Sequence, residues 1–248
     1  MITLRTKLEL EKMRRAGEMV ARAHELVRRL IRPGVKTIDL DRAVAEFMRS
    51  NDAVPSFKGY HGFPGSICVS INEEVVHGIP GERVLEDGQI VSIDIGAIVD
   101  GYHGDAARTW AVGDVDTGAK QLMEVTAGAL DRGIAKAVPR NRLSDVSHAI
   151  QTYAESQGFS VVRDYVGHGI GREMHEPPQI PNFGPPGYGP LLRPGMVLAI
   201  EPMVNAGGFA VVTKPDGWTV VTADGSLSAH VEDTVAVTDG EPLILTRL

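Results

Sequence analysis

Five side chains in this sequence have the chemistry of a metal site and stand where such side chains are costly. Asp94 lies in the run IVSIDIG, Asp105 in YHGDAART, His168 in YVGHGIG, Glu201 in VLAIEPM and Glu232 in SAHVEDTVAV. Each is an acid or an imidazole set inside a strand-like apolar stretch. A buried carboxylate without a partner is strongly unfavourable, and four together require cations. Two divalent ions about 3.5–4 Å apart would neutralise the acids and activate a water for hydrolysis. Mixed oxygen and nitrogen donors suit Mn, Fe, Co or Zn. Cys68 is the only cysteine, so neither a thiolate zinc cluster nor an intrachain disulfide is available. Taken singly, an acid at a strand end is a turn or cap residue. The joint occurrence of the five points to a site.

The elements that must carry these residues can be read from turns and repeats. Asp100-Gly101 is a hairpin dipeptide standing between Asp94 and Asp105. With those two residues as the loop, residue i pairs with residue 201 − i. Asp94 then faces Ala107 and Asp105 faces Gly96, which puts both acids on one sheet face as diagonal neighbours. The chain is also written twice. Leu85 through Asp94 lines up with Leu192 through Glu201, each a leucine, a glycine turn and a strand ending in an acid. Asp39-Leu40 to Phe47 matches Asp145-Val146 to Tyr153, and Trp110-Ala-Val-Gly matches Val235-Ala-Val-Thr. The first two matches run at offsets of 107 and 106 and the last at 125, so an insertion lies between Glu201 and Glu232.

Met13, Ala16, Val20, Val27 and Leu30 recur at helical spacing and predict a helix over 8–31, stopped by Pro33-Gly34. Thr37 reads as the N-cap of a second helix to about Ser50. Thr117 opens a third that ends before Pro139, and Ser144 caps a fourth that ends near Gly158. Strands are expected around 66–77, 89–99 and 105–112, then around 161–167, 196–204, 209–213, 218–222 and 229–237. The fold class is α+β, one domain over 1–248 made of halves at about 1–115 and 116–248. A pseudo-two-fold would place the paired acids opposite each other at the seam.

The composition is that of a globular chain, 43% hydrophobic and 23% charged. No apolar run approaches membrane-spanning length, and the charged N-terminus does not read as a secretory signal, so the expected location is cytoplasmic. The net charge is −7, yet residues 1–36 carry ten Lys/Arg against four Asp/Glu. That stretch is either a solvent-facing helix balancing an acidic body or a patch for a polyanion such as ribosomal RNA. Nothing in the sequence demands more than a monomer.

Several segments are specific in kind and order: Gly59-Tyr-His-Gly-Phe-Pro, Ser70 through Pro80, Asp94-Ile-Gly, Gly104-Asp105, Gly167-His-Gly-Ile-Gly171, His175-Glu-Pro-Pro178, Ile200-Glu-Pro202 and Asp216-Gly-Trp218. With them the chain resembles, over essentially its whole length, the type I methionine aminopeptidases of the short bacterial form in metallopeptidase family M24. The resemblance implies a pita-bread fold, two divalent ions, and removal of the initiator methionine from nascent polypeptide N-termini when the second residue is small. By the same resemblance Asp94 chelates the second metal, Asp105 and Glu232 bridge both, and His168 and Glu201 complete the first site. Glu201 is the expected proton acceptor. His77 would bond the scissile amide and His175 the carbonyl oxygen. Phe57, Tyr60, Phe63, Cys68, Met174 and Trp218 would enclose the methionine side chain. Asn72, Glu74 and Ser228 match a backbone-carbonyl site for one Na or K ion. Phe57, Phe63, Met174, His230 and Asp233 depart from the residues common in the family at their positions. His61, His103 and His230 are expected behind the ligands or exposed. The basic N-terminal helix is compatible with docking on the ribosome. Rival readings are a proline-specific pita-bread peptidase and a non-catalytic binding protein.

Overall fold

The computed structural model describes residues 2–248. Helix α1, Lys7–Leu30, begins at a capping box in which Thr6 Oγ1 accepts from Glu9 N and the Glu9 carboxylate accepts from Thr6 N. Bonds donated by the Thr6 N–H and the Thr6 hydroxyl, with one from the Tyr102 hydroxyl, hold the Glu9 carboxyl down at about 2. The buried face of α1 runs through Met13, Ala16, Gly17, Val20, Ala23, His24 and Val27. It packs on the long hairpin made by strands Ile90–Val99 and Tyr102–Ala111. The approach is close enough that a methyl on Gly17 would run into the Leu245 carbonyl, and one on Gly104 into the backbone of Ala16 and Gly17. Several basic residues of α1 are already engaged. Arg14 pairs with Glu11 and Glu18, Arg28 with Glu25, and Arg15 with Asp100.

The hairpin has the expected register. Asp94 sits opposite Ala107 and Asp105 opposite Gly96. Asp100 and Gly101 turn with φ of 52° and 76°, the left-handed pair that suits a right-twisted two-residue loop. Cys68–Ile71 and Val54–Pro55 pair with the other edge of Ile90–Val99. The second half builds a five-stranded sheet in the order Leu243–Ile244, Asp233–Ala236, Val197–Ile200, Gly167–Gly169, Glu176–Ile180. Helices α2, Thr37–Arg49, α3, Thr117–Ile134, and α4, Leu143–Ser156, complete the α+β pita-bread arrangement. Each half has its own apolar core, one around Val20, Leu40, Val69 and Ile93, the other around Leu122, Ile150, Leu198 and Val235.

Two expected caps are not caps. Thr37 is the first residue of α2, and its hydroxyl bonds both the N–H and the carbonyl of Gly81. Ser144 is the second residue of α4 and accepts from Tyr188 N at 2.7 Å. Tertiary partners outcompete local capping at both positions. Four expected strands also break. The stretch 66–77 divides at Asn72-Glu73 into Cys68–Ile71 and Glu74–Val76 of different sheets. The stretch 196–204 splits at Glu201-Pro202, where proline has no N–H to donate, into Val197–Ile200 and Met203–Asn205 of different sheets. The stretch 229–237 splits at Val231-Glu232, and 161–167 is interrupted before His168. In each case the chain changes sheets within a few residues of a candidate ligand.

The seam shows the two-fold in its hydrogen bonds. Thr234 Oγ1 bonds the N–H and the carbonyl of Asp105, while Thr109 Oγ1 bonds the N–H and the carbonyl of His230. Between them Glu232 N donates to Ala107 O at 2.9 Å. Both threonines clamp the backbone of the opposite half, so neither half can shift without breaking its neighbour's bonds. No helix among the described residues is long and apolar enough to cross a membrane. The tight seating of α1 gives a direct test. Gly17→Ala is expected to cost about 1–3 kcal/mol of stability by overpacking, read as a lower urea midpoint. Gly81→Ala, with open space at its Cβ, is expected to leave the midpoint unchanged.

Candidate active site

Strand breaks and the hairpin converge on one cavity of about 220 Å³, lined by Asp94, Asp105, His168, Glu201, Glu232, His77 and His175 together with the expected apolar residues. Asp105, His168 and Glu232 each present a ligand atom within 4.8 Å of the others, and so do Glu201, His230 and Glu232. Glu232 belongs to both groups. Glu201 stands between two imidazoles, 3.5 Å from His168 Nε2 and 3.6 Å from His230 Nε2. His168 Nδ1 donates to the Gly169 carbonyl at 2.9 Å, which fixes the tautomer and leaves the Nε2 lone pair for the cavity.

The electrostatics are those of a cation site. Asp94 Oδ1, Asp105 Oδ1, Glu232 Oε1 and His230 Nε2 are buried and have no hydrogen-bond partner among the described residues. Burial, reinforced by Glu201 and opposed by His230, lifts Asp94 to about 7. Burial raises Glu201 well above the usual carboxylate range, and burial with the neighbouring acids does the same for Asp105 and Glu232. Burial depresses the imidazoles: His168 to about 3, His77 to about 4, and His230 below its ordinary value. Neutral imidazoles and clustered oxygens are the donor set that divalent first-row ions take. These residues therefore fit such ions, and the orphaned oxygens mark where the positive charge belongs.

The pocket beside this cluster is apolar. Phe57, Phe63, Cys68 and Met174 are buried together, with Tyr60, Ile79 and Trp218 packed against them. Phe63 and Trp218 meet edge to face, their centroids 5.1 Å apart. Burial pushes the Cys68 thiol up, so it serves as an apolar wall rather than a thiolate. His175 is exposed at the mouth, and its Nδ1 lies 2.8 Å from the Tyr60 hydroxyl. His77 has a φ of 61°, unusual for a side chain larger than glycine, and Gly78 after it has no room for a methyl beside the Val69 carbonyl.

Asn72 and Ser228 are brought together, since Ser228 N donates to the Asn72 carbonyl at 2.8 Å. The Glu74 carboxylate is taken up by Ile71 N, Arg83 and Lys214. Among the histidines, His61 is exposed at the cavity and His103 is buried, with Nδ1 2.9 Å from Ser56 Oγ. His230 was expected behind the ligands or exposed; it is buried, only 2% exposed, and its imidazole adjoins the carboxylates of Glu201 and Glu232. The repeat carried the signal for it. The downstream offset of 125 maps Asp105 onto position 230, and the structure pairs Asp105 with Gly96 and His230 with Met203 in equivalent ways.

Comparison with known proteins agrees with this geometry. The model of metallopeptidase family M24 matches residues 11–239. Methionine aminopeptidase 1 of Bacillus subtilis is 57% identical over the whole of both chains. The crystal structure of a methionine aminopeptidase from Thermotoga maritima superposes with a TM-score of 0.98 at 51% identity, covering all of both chains. A prolidase from Pyrococcus furiosus shares the fold, with a TM-score of 0.81 at 24% identity over 99% of this chain and 65% of that one. The chain belongs to metallopeptidase family M24, within its methionine aminopeptidase branch.

Proposed function

We propose that the chain is a cytoplasmic metalloaminopeptidase that removes N-terminal methionine from polypeptides, preferentially ahead of a small second residue. One observation carries the reading: the thioether-sized apolar pocket and the carboxylate–imidazole cluster open into the same cavity. Aromatic and sulfur-bearing walls favour a flexible thioether. Relatives named methionine aminopeptidase at more than half identity over the full length support the same conclusion.

Asp94, Asp105, His168, Glu201 and Glu232 would hold two divalent ions, with His230 adjoining Glu201. When bound, such ions supply Lewis acidity and a water of lowered pKa. The remaining steps belong to the chain. The apolar pocket seats the methionine side chain and excludes water from the scissile bond. Glu201 accepts the proton of the attacking water and passes it to the leaving nitrogen. The Tyr60 hydroxyl donates to His175 Nδ1, so His175 Nε2–H is free to donate to the carbonyl oxygen as it gains charge. His77, kept neutral by burial, bonds the scissile amide.

The assay uses metal-stripped protein with Mn or Co restored, on Met-Gly and Xaa-Pro peptides. Metal-dependent release of methionine is expected, and Asp105→Asn is expected to lower turnover by more than roughly a hundredfold, beyond the loss typical of outer-sphere changes. Cleavage only ahead of proline would overturn the reading, as would wild-type turnover in Asp105→Asn.

Metal removal also has a signed pH dependence. Between roughly pH 7.5 and 9, imidazoles are neutral in both states and unfolded carboxyls are ionised. In the folded, metal-free site Asp105, Glu201 and Glu232 are raised well above the carboxylate range and give up their protons later than in the unfolded chain. The native state then binds more protons than the unfolded one, so stability falls as pH rises. The metal-free Tm is expected to drop across that window, and added Mn to raise Tm more at the upper end. A metal-induced rise independent of pH would count against these carboxyls as the ligands.

A further inference from the structure

The ladder that carries Glu201 stops one rung short of it. Ile200 faces Asp233, and the next rung would set Glu201 opposite Glu232. That rung does not form, because Glu232 N donates across the seam to the Ala107 carbonyl at 2.9 Å. Pro202 has no N–H with which to continue the strand. The Glu201 carbonyl thus lacks a ladder donor, at the residue whose side chain stands between His168 and His230. The side-chain amide of Asn182 takes the place of that donor, its Nδ2 donating to the Glu201 carbonyl at 3.0 Å. A carbonyl only accepts, so the nitrogen of the amide is the atom that faces it.

Asn182 is 1% exposed, and its Oδ1 is buried with no partner among the described residues. The amide therefore satisfies one buried acceptor and leaves another bare. The two costs are of one kind and similar size, so the exchange adds little to stability. What it changes is where the bare acceptor lies: off the Glu201 backbone and on the Asn182 side chain. The place of Asn182 in the fold gives that exchange a use. It follows the strand Glu176–Ile180, which starts directly after His175. That strand is at the edge of its sheet, and its Gln179 faces His168 across the ladder. Arg5 ties down its start through Glu176, and Asn182 ties its far end to Glu201.

We infer that Asn182 is a positioning residue for Glu201: its amide replaces the missing rung and holds the Glu201 carboxylate in place between His168 and His230. The inference rests on the reading of Glu201 as metal ligand and proton acceptor.

Two substitutions test it. Asn182→Leu keeps the branching of the side chain and removes the donor. Asn182→His restores one, since its Nδ1 is joined to Cγ as the amide nitrogen is. Metal-stripped proteins are titrated with Mn by calorimetry, then assayed with saturating Mn on Met-Gly peptides well below their Tm. Asn182→Leu is expected to weaken Mn binding and to lower kcat, each by roughly ten- to a hundredfold, with KM within about threefold of the unmutated value. Asn182→His is expected to recover most of both losses. A merely structural role would lower Tm while Mn affinity and kcat stay intact, and that result overturns the inference. So does an equal loss in Asn182→His, or a rise in KM without loss of kcat. Should Asn182→Leu not fold, Asn182→Ser, whose hydroxyl falls short of the carbonyl, is measured in its place. Glu201→Gln keeps the two readings apart. Unmutated turnover and Mn binding in Glu201→Gln would remove the role given to Glu201. An inactive Glu201→Gln beside an unimpaired Asn182→Leu would overturn the positioning alone.

Discussion

Four carboxylates drawn into one water-poor seam form the constraint on which the rest of this structure depends. Their mutual repulsion and desolvation oppose folding until cations arrive, as the upward displacement of all four carboxyls records. The two halves must therefore be locked by bonds that do not use the acids themselves. The crossed threonines do this: Thr234 grips the Asp105 backbone and Thr109 the His230 backbone. The backbones at Asp105, His230 and Glu232 are each held by the opposite half, so the carboxylates stay clustered while an oxygen of each of Asp94, Asp105 and Glu232 has no partner.

Two acids adjacent in the chain meet opposite fates under the same physics. Glu232 and Asp233 are both buried, but Glu232 lies in the break before the strand Asp233–Ala236 and the two side chains meet different partners. Asp233 is neutralised by Arg108 and Arg247 and bonded by the Thr246 hydroxyl. Glu232 has an oxygen without a partner and faces the cluster. Arg108 joins the two acids, since it also donates to the Glu232 carbonyl. Charge compensation at Asp233 leaves the uncompensated negative charge at Glu232, in the cluster, where a cation can reach it.

Specificity and chemistry are tied together by register. Cys68 pairs directly with Asp94, so the wall of the apolar pocket and a carboxylate of the cluster are neighbouring rungs of one ladder. A one-residue slip of either strand would turn its member of the pair away from the cavity. The mouth is set from the N-terminus. Arg5, almost fully buried, pairs with Glu176, whose carboxylate also accepts from Arg172 N and Glu173 N. The loop that presents Met174 and His175 is thus strapped to the segment preceding α1, which is itself pinned by Arg5 N to the Gly195 carbonyl.

What could be read in the sequence divides along the same physical line. The hairpin was legible because Asp100-Gly101 admits one loop, and one loop fixes the partner of every residue from Ile90 to Ala111. The acids were legible because charge inside apolar runs is costly enough to require a reason. Thr37 and Ser144 misled because a hydroxyl ahead of a helix has a local use, and only the folded chain brings Gly81 and Tyr188 within reach to claim it. The closeness of His230 to the acids was missed for a related reason. Its repeat partner is an aspartate, so matching by residue type passed over it, while matching by position would have found it. A pseudo-two-fold conserves place in the ladder rather than chemistry. The ligands of such a seam are best sought by carrying each position across the axis and asking whether the residue found there, whatever its type, can donate to a metal.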